Sequence, residues 1–210
     1  MTIDWDQILG AHSNLAAIPA GLRASAGQIA FEAGETLVRR GARPRHMLYV
    51  LAGEIRLIRH TVAGDKVILQ RGRHGFIAEA SLEAAAYHCD IEAYELGHLL
   101  TFPIPRFRQT LDNDAEFRWR WASLLSVEIR RLRAQNERLH LHKAADRVLH
   151  YLESEGTDGV VTLMQSRKAW AVELGLSHEA LYRTLRHMEH DGLLKVSTNR
   201  IERPRPATSK

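Results

Sequence analysis

From Gln28 to about Phe102, apolar residues come in short runs broken by glycine. HMLYVLAGEIRLIRH and KVILQRG are two such runs, and Gly34, Gly41, Gly53, Gly64, Gly72 and Gly75 punctuate the region. Short apolar runs separated by turn residues at near-regular spacing predict strands of an antiparallel sandwich or barrel. Ahead of them WDQILGAH reads as a weakly amphipathic helix, which IPAGL breaks. Pro103 and Pro105 close the strand region, and DAEFRWRWASLLSVEIRRLRAQNERLHLH then runs on without Gly or Pro. Along it Trp121, Leu125, Leu132 and Leu139 follow a roughly seven-residue repeat, with Glu128 and Gln135 at the other seam positions. A long helix with a narrow apolar seam packs on a second copy of itself. Packing on its own domain is the alternative. Polar seam residues cost stability but fix register.

HLHLHK around 139–143 reads as a hinge. His140 and His142 alternate there without a Cys or carboxylate at ligand spacing, so no metal is expected. KAADRVLHYLES is then an amphipathic helix with Val148, Leu149 and Leu152 inward, TDG a turn and VVTLM a strand. Ser166 caps a further helix through Trp170, Val172 and Leu174, and Gly175 ends it. Ser177 caps the next, with Glu179 near its start, where the helix dipole favours acids. Ala180, Leu181, Leu185 and Met188 recur at three- and four-residue steps as its buried face, and Gly192 ends it. Two helices joined by a tight glycine turn make a helix-turn-helix, and LLKVSTNRIERP after it reads as a short wing.

On that reading His178, Glu179, Tyr182, Arg183 and Arg186 occupy the outer face of helix 177–191. Arg bridges guanine O6 and N7, and Glu accepts from cytosine N4, so Glu179 and Arg183, four residues apart, can address neighbouring base pairs. The plain alternative is a surface ion pair one helical turn apart. Arg186, Arg167 and Lys168 are better placed for phosphates.

Charge sharpens the picture by its location. The formal net charge is +4, and nine of the 29 cations but only five of the 25 anions lie from Ser166 onward, leaving 20 of each elsewhere. Arg205 and Lys210 are among the nine. A basic C-terminal quarter suits a polyanion-binding module; a solvated basic tail is the alternative. The 45% hydrophobic content suffices for a core, and no apolar run reaches the roughly 18 residues that span a bilayer. The N-terminal MTIDWDQILGAHSN lacks the basic start of a signal peptide, and the lone Cys89 allows no internal disulfide, so a cytoplasmic protein is expected. No nucleophile–base pair, Walker loop or dinucleotide fingerprint stands out, which argues against an enzyme.

Both halves resemble the CRP/FNR regulators, the group of the cyclic-AMP receptor protein and the fumarate–nitrate regulator. GETLVRRGARPRHMLYVLAGEIRLIR places Gly34, Glu35, Leu37, Gly41, Tyr49, Leu51 and Gly53 in the family's spacing, and LSHEALYRTLRHMEHDGLL puts Glu179 and Arg183 on its base-reading pair. The resemblance implies an α+β chain in three segments. These are a cupin-like, cyclic-nucleotide-binding-like β-roll sensor over 1–110, a dimerisation helix over 111–141 and a winged helix-turn-helix over 142–210. It also implies a homodimer on an inverted repeat of double-stranded DNA, and RNA polymerase as a partner if the protein is an activator.

The effector region, AEASLEAAAYHCDIEA, departs from the family. Glu79 falls on the ribose-contacting Glu, but Ala78 replaces a Gly, and the phosphate-holding Arg-Ser pair falls at His88 and Cys89. No Lys or Arg lies between Glu79 and Pro105. A buried phosphate without a cation carries a large desolvation cost, so cyclic AMP is disfavoured. A lone Cys cannot hold a four-cysteine iron–sulfur cluster. Haem through His88 or Cys89 and a thiol switch at Cys89 are also disfavoured against a small buried cysteine. Glu79, Ala80, Ser81, His88 and Cys89 are the candidate effector pocket, its ligand unassigned. The competing function is a small-molecule, redox or haem sensor in which this pocket matters most.

Overall fold

In the computed structural model, which describes residues 3–62, 64–163 and 165–204, the glycine-punctuated region forms two four-stranded sheets. Met164, Arg205 and Lys210, used in the strand and charge readings, lie outside the described residues. Helix α1 (Trp5–Ala11), a 3-10 turn (Ser13–Ala17) and α2 (Ala20–Arg23) come first. The strands β1 (Gly27–Phe31), β2 (Thr36–Val38), β3 (His46–Ala52), β4 (Ile55–His60), β5 (Lys66–Gly72), β6 (Gly75–Ile77), β7 (Asp90–Ala93) and β8 (Gly97–Pro103) follow. Neighbours in each sheet are antiparallel, in the orders β1-β8-β3-β6 and β2-β7-β4-β5.

Gly53, between β3 and β4, has φ 83°, and a Cβ there would lie 2.5 Å from the Leu96 carbonyl oxygen. The turn needs both the left-handed backbone and the missing side chain. Strand β3 is buried over Met47–Leu51 because both its faces are covered. Leu48 and Val50 join a core with Ile55, Ile77, Cys89, Ile91 and Leu99. On the other face Tyr49 meets Phe76 edge-on at 5.1 Å.

Helix α3 (Ile104–Asn113) follows β8 directly, and α4 (Ala115–His140) starts after Asp114, whose carboxylate accepts the Phe117 N–H at 2.9 Å. Two compact units result, residues 1–123 and 124–210, with α4 contributing to both. The heptad reading needs one correction. Trp121 is 7% exposed and packs inside the first unit against Phe76 (5.1 Å) and Phe107 (4.9 Å), so it is a core residue and not part of a dimer seam. Downstream, Leu125 is half-buried, while Leu132 and Leu139 are 49% and 46% exposed.

The second unit continues through α5 (Ala144–Glu155), β9 (Val160–Thr162), α6 (Arg167–Glu173), α7 (His178–His190), β10 (Lys195–Val196) and β11 (Arg200–Glu202). Its sheet runs β10-β11-β9. Trp170, fully buried, sits among Val148, Leu152, Leu174, Leu181, Leu185 and Met188. This core holds α5, α6 and α7 together.

Candidate functional site

Ser166 and Ser177 cap α6 and α7, their hydroxyls accepting the N–H groups of Ala169 (3.2 Å) and Ala180 (3.1 Å). Each such cap is worth about 1 kcal/mol. Between the helices Gly175 has φ 64°, and the N–H groups of Gly175 and Leu176 return to the Val172 and Ala171 carbonyls. This closure satisfies carbonyls that a helix end leaves open. Leu181, Leu185 and Met188 face the core, which fixes the rotation of α7.

That rotation leaves His178, Glu179, Tyr182, Arg183 and Arg186 exposed along one face. The His178 and Tyr182 rings meet at a tilt of 53° with centres 4.5 Å apart, and the Arg167 guanidinium lies 5.4 Å from the Tyr182 ring centre. Arg167 also donates to the Ser197 carbonyl at 2.5 Å, so it braces the β10–β11 hairpin. The Val196 N–H is held by the Glu189 carboxylate at 3.1 Å, which ties the hairpin to α7 as well. Among the described residues, no ion pair joins Glu179 to Arg183, and neither these two nor Arg186 and Lys168 has a side-chain partner. The surface-ion-pair alternative therefore has no counterpart in the structure. A groove of about 700 Å³ separates the helices from the hairpin, lined by Lys168, Arg167, His178, Tyr182, Ser197 and Thr198.

Arg147, on α5, is a residue that sequence reasoning misses. Its guanidinium donates to the carbonyls of Leu141 (2.7 Å), Gly175 (2.8 Å), Leu174 (3.1 Å) and Leu139 (3.3 Å). It thus neutralises the carbonyl end of α4 and the α6–α7 turn together. Ser197 and Thr198 at the hairpin tip escape it too, since nothing in their local sequence points to the groove.

In the first unit, Glu79, Ala80 and Ser81 form one 3-10 turn. It is entered through Ala78, held at φ 60° and buried. The Glu79 carboxylate accepts from the Gln70 amide at 3.2 Å. The Ser81 hydroxyl is buried with no hydrogen-bond partner among the described residues. The other two pocket candidates do not join this turn as a polar set. Cys89 is fully buried in the apolar core with Tyr87 and Ile91, and His88 points to solvent. Burial, then Asp90, pushes the Cys89 thiol up against a smaller opposing effect of Arg59. It therefore lacks the lowered pKa of a reactive or metal-binding cysteine. No cluster of three or more His, Cys, Asp or Glu able to hold a metal occurs among the described residues.

Residues 28–114 match the cyclic nucleotide-binding domain family. A regulatory protein of Silicibacter pomeroyi DSS-3, put forward as cAMP-binding, is 23% identical and covers 94% of each chain at a TM-score of 0.58. FixK2 of Bradyrhizobium japonicum is 16% identical over 86% of this chain and 93% of that one, at 0.64. A CRP-family transcriptional regulator of Thermus thermophilus is 21% identical over 83% and 91%, at 0.55. The chain has the CRP/FNR fold. No curated protein sequence matches it significantly. Strands β1–β8 and α3 make up the stretch that matches the cyclic nucleotide-binding domain family, and the α6–α7 pair with its hairpin follows C-terminal to it. Of these neighbours, the Thermus thermophilus protein is a CRP-family transcriptional regulator. No helix among the described residues is long and apolar enough to cross a membrane.

Proposed function

We propose that the protein is a dimeric, sequence-specific DNA-binding transcription regulator of the CRP/FNR type. One observation carries this reading. The capped helix α7 presents Glu179, Arg183 and Arg186 to solvent without protein partners, beside a groove edged by Lys168 and Arg167. Unpaired charges on a rigid helix are groups left available for base edges and phosphates. The N-terminal half of a recognition helix enters the major groove first, so His178, Glu179, Tyr182 and Arg183 face bases. Arg186 and Lys168 fall to the phosphates. Arg167, partly committed to the hairpin, positions the wing as well.

The dimer is carried by α4. Leu124, Val127, Leu132 and Leu139 are exposed along it, and apolar side chains gathered on one exposed helix mark an interaction surface. With Trp121 in the core, the seam runs through Leu125, Leu132 and Leu139. Two-fold symmetry then places two α7 helices on half-sites about one DNA turn apart, as an inverted repeat.

The test compares Arg183→Ala with Arg186→Ala on a series of base-substituted operators at two salt concentrations. Losing a bidentate Arg–guanine pairing costs roughly 1–3 kcal/mol, so Arg183→Ala weakens binding and flattens the preference for guanine at one position of each arm. Arg186→Ala weakens all sequences alike and lowers the salt slope by about one unit for each phosphate no longer neutralised. Unchanged base preference in Arg183→Ala would remove it as a reader.

A second function rests on the buried, unpartnered Ser81 hydroxyl beside the strained Ala78. Such a group calls for an acceptor or donor that the protein does not supply. It supports a small polar effector held at the turn formed by Glu79, Ala80 and Ser81, whose binding would regulate the DNA half.

A further inference from the structure

We propose that the first unit carries a separate binding site for a phosphorylated small molecule, in the groove between loop 43–45, segment 82–85 and the start of α3. The groove measures about 690 Å³, within the range of roughly 300–1,000 Å³ typical of small-ligand sites. It lies on the opposite side of Leu82 in sequence from the turn at Glu79, and the proposal does not rest on the DNA-binding reading.

Three arginines set its charge. Arg43 and Arg45 flank Pro44. The residue before a proline is held extended and proline fixes its own φ, so residues two apart project to one side. The loop is also pinned at both ends. The Gly41 N–H donates to the Tyr87 carbonyl (2.8 Å), the Tyr87 N–H to Ala42 (2.9 Å), and the Ile104 N–H to Arg45 (3.0 Å). Yet both side chains are exposed, and neither has a hydrogen bond or ion pair among the described residues. Arg108 is fixed instead, donating to the Glu83 carboxylate (3.0 Å) and the Leu82 carbonyl (2.5 Å). Glu83 offsets one of the three cations, which leaves a formal +2.

That charge matches the dianion of a phosphomonoester, whose oxygens accept forked hydrogen bonds from guanidinium. Two unpaired arginines lining one groove repel one another until an anion lies between them. The rest of the wall is apolar. Leu82 and Ile104 are buried, with Pro105 and two alanines beside them. Inorganic phosphate would leave this part unused, whereas a phosphate ester would lay its organic body there. The combination of two free arginines, one braced arginine and an apolar wall is what assigns the ligand class.

The experiment is a calorimetric titration of the full chain with 1-naphthyl phosphate, inorganic phosphate and 1-naphthol. Saturable binding is expected for naphthyl phosphate, about tenfold or more tighter than inorganic phosphate, with no saturable heat from the uncharged naphthol. Arg43→Ala/Arg45→Ala should weaken the ester about tenfold or more while melting like the parent, since both side chains are exposed. Arg167→Ala/Lys168→Ala should leave it unchanged, because that basic edge belongs to the α6–α7 groove. The proposal is overturned by no saturable binding, by unchanged affinity in the Arg43/Arg45 variant, by loss in the Arg167/Lys168 variant instead, or by equal affinity for inorganic phosphate. DNA binding, measured on the same variants, can succeed or fail independently.

Discussion

Single residues decide the geometry of the α6–α7 corner. Gly175 is the sharpest case. At φ 64° an added Cβ would lie 2.9 Å from both the Arg147 guanidinium and the Leu139 methyl. Left-handed backbone costs a non-glycine residue about 1–2 kcal/mol even before such crowding. Gly175→Ala should therefore lower unfolding free energy by at least roughly 1 kcal/mol in a urea titration, and a variant as stable as the parent would contradict the geometry. Gly175, Ser166 and Ser177 are legible in the sequence because their chemistry is local: a cap bonds three residues away and a left-handed turn needs glycine. Arg147 is not, because its four acceptors at 139, 141, 174 and 175 are neighbours only after folding. Cys89 and His88 part company for a related reason. Both stand in the bend just before β7, where no strand period tells the sequence which side chain turns in.

At the scale of elements, α4 has two roles along its length. Its first turns bury Phe117 and Trp121 in the aromatic cluster of the first unit. Further on, Leu132 is half exposed and set in the proposed seam. Leu132→Lys puts two like charges into an apolar contact across the two-fold axis. Light scattering should report a monomer or weak dimer, with operator affinity falling in step. A Leu132→Lys protein that remains fully dimeric would move the interface elsewhere. The seven-residue period is readable, but period reports only that one face is apolar, not what covers it. For that reason Trp121 reads as a seam residue in the sequence and is a core residue in the fold. The strands are readable from glycine spacing, as in the turn at Gly53. Their partners are not, since β1 pairs with β8 across the whole domain, with Gly27 opposite Thr101.

Over the whole molecule, each unit has apolar packing of its own, with Val50, Ile55 and Ile91 in the first and Trp170 and its neighbours in the second. Trp170, fully buried, is the largest side chain of the second. Replacing a buried Trp by Ala costs about 3–5 kcal/mol. Trp170→Ala should strip hydrogen-exchange protection from α5, α6 and α7 while β3 and β8 keep theirs, and equal loss in both would mean that the cores unfold as one. The order of β-roll, long helix and helix pair can be read from the chain, whereas the joint at the end of α4 cannot. There one guanidinium, that of Arg147, grips carbonyls of the helix tail and of the α6–α7 corner. Turning the tail by one residue's worth, about 100°, would carry the Leu139 and Leu141 oxygens out of reach unless the corner travelled with them. The two are geared through a shared pinion, with little backlash. A turn of the α4 tail would therefore pull first on the corner from which α7 starts.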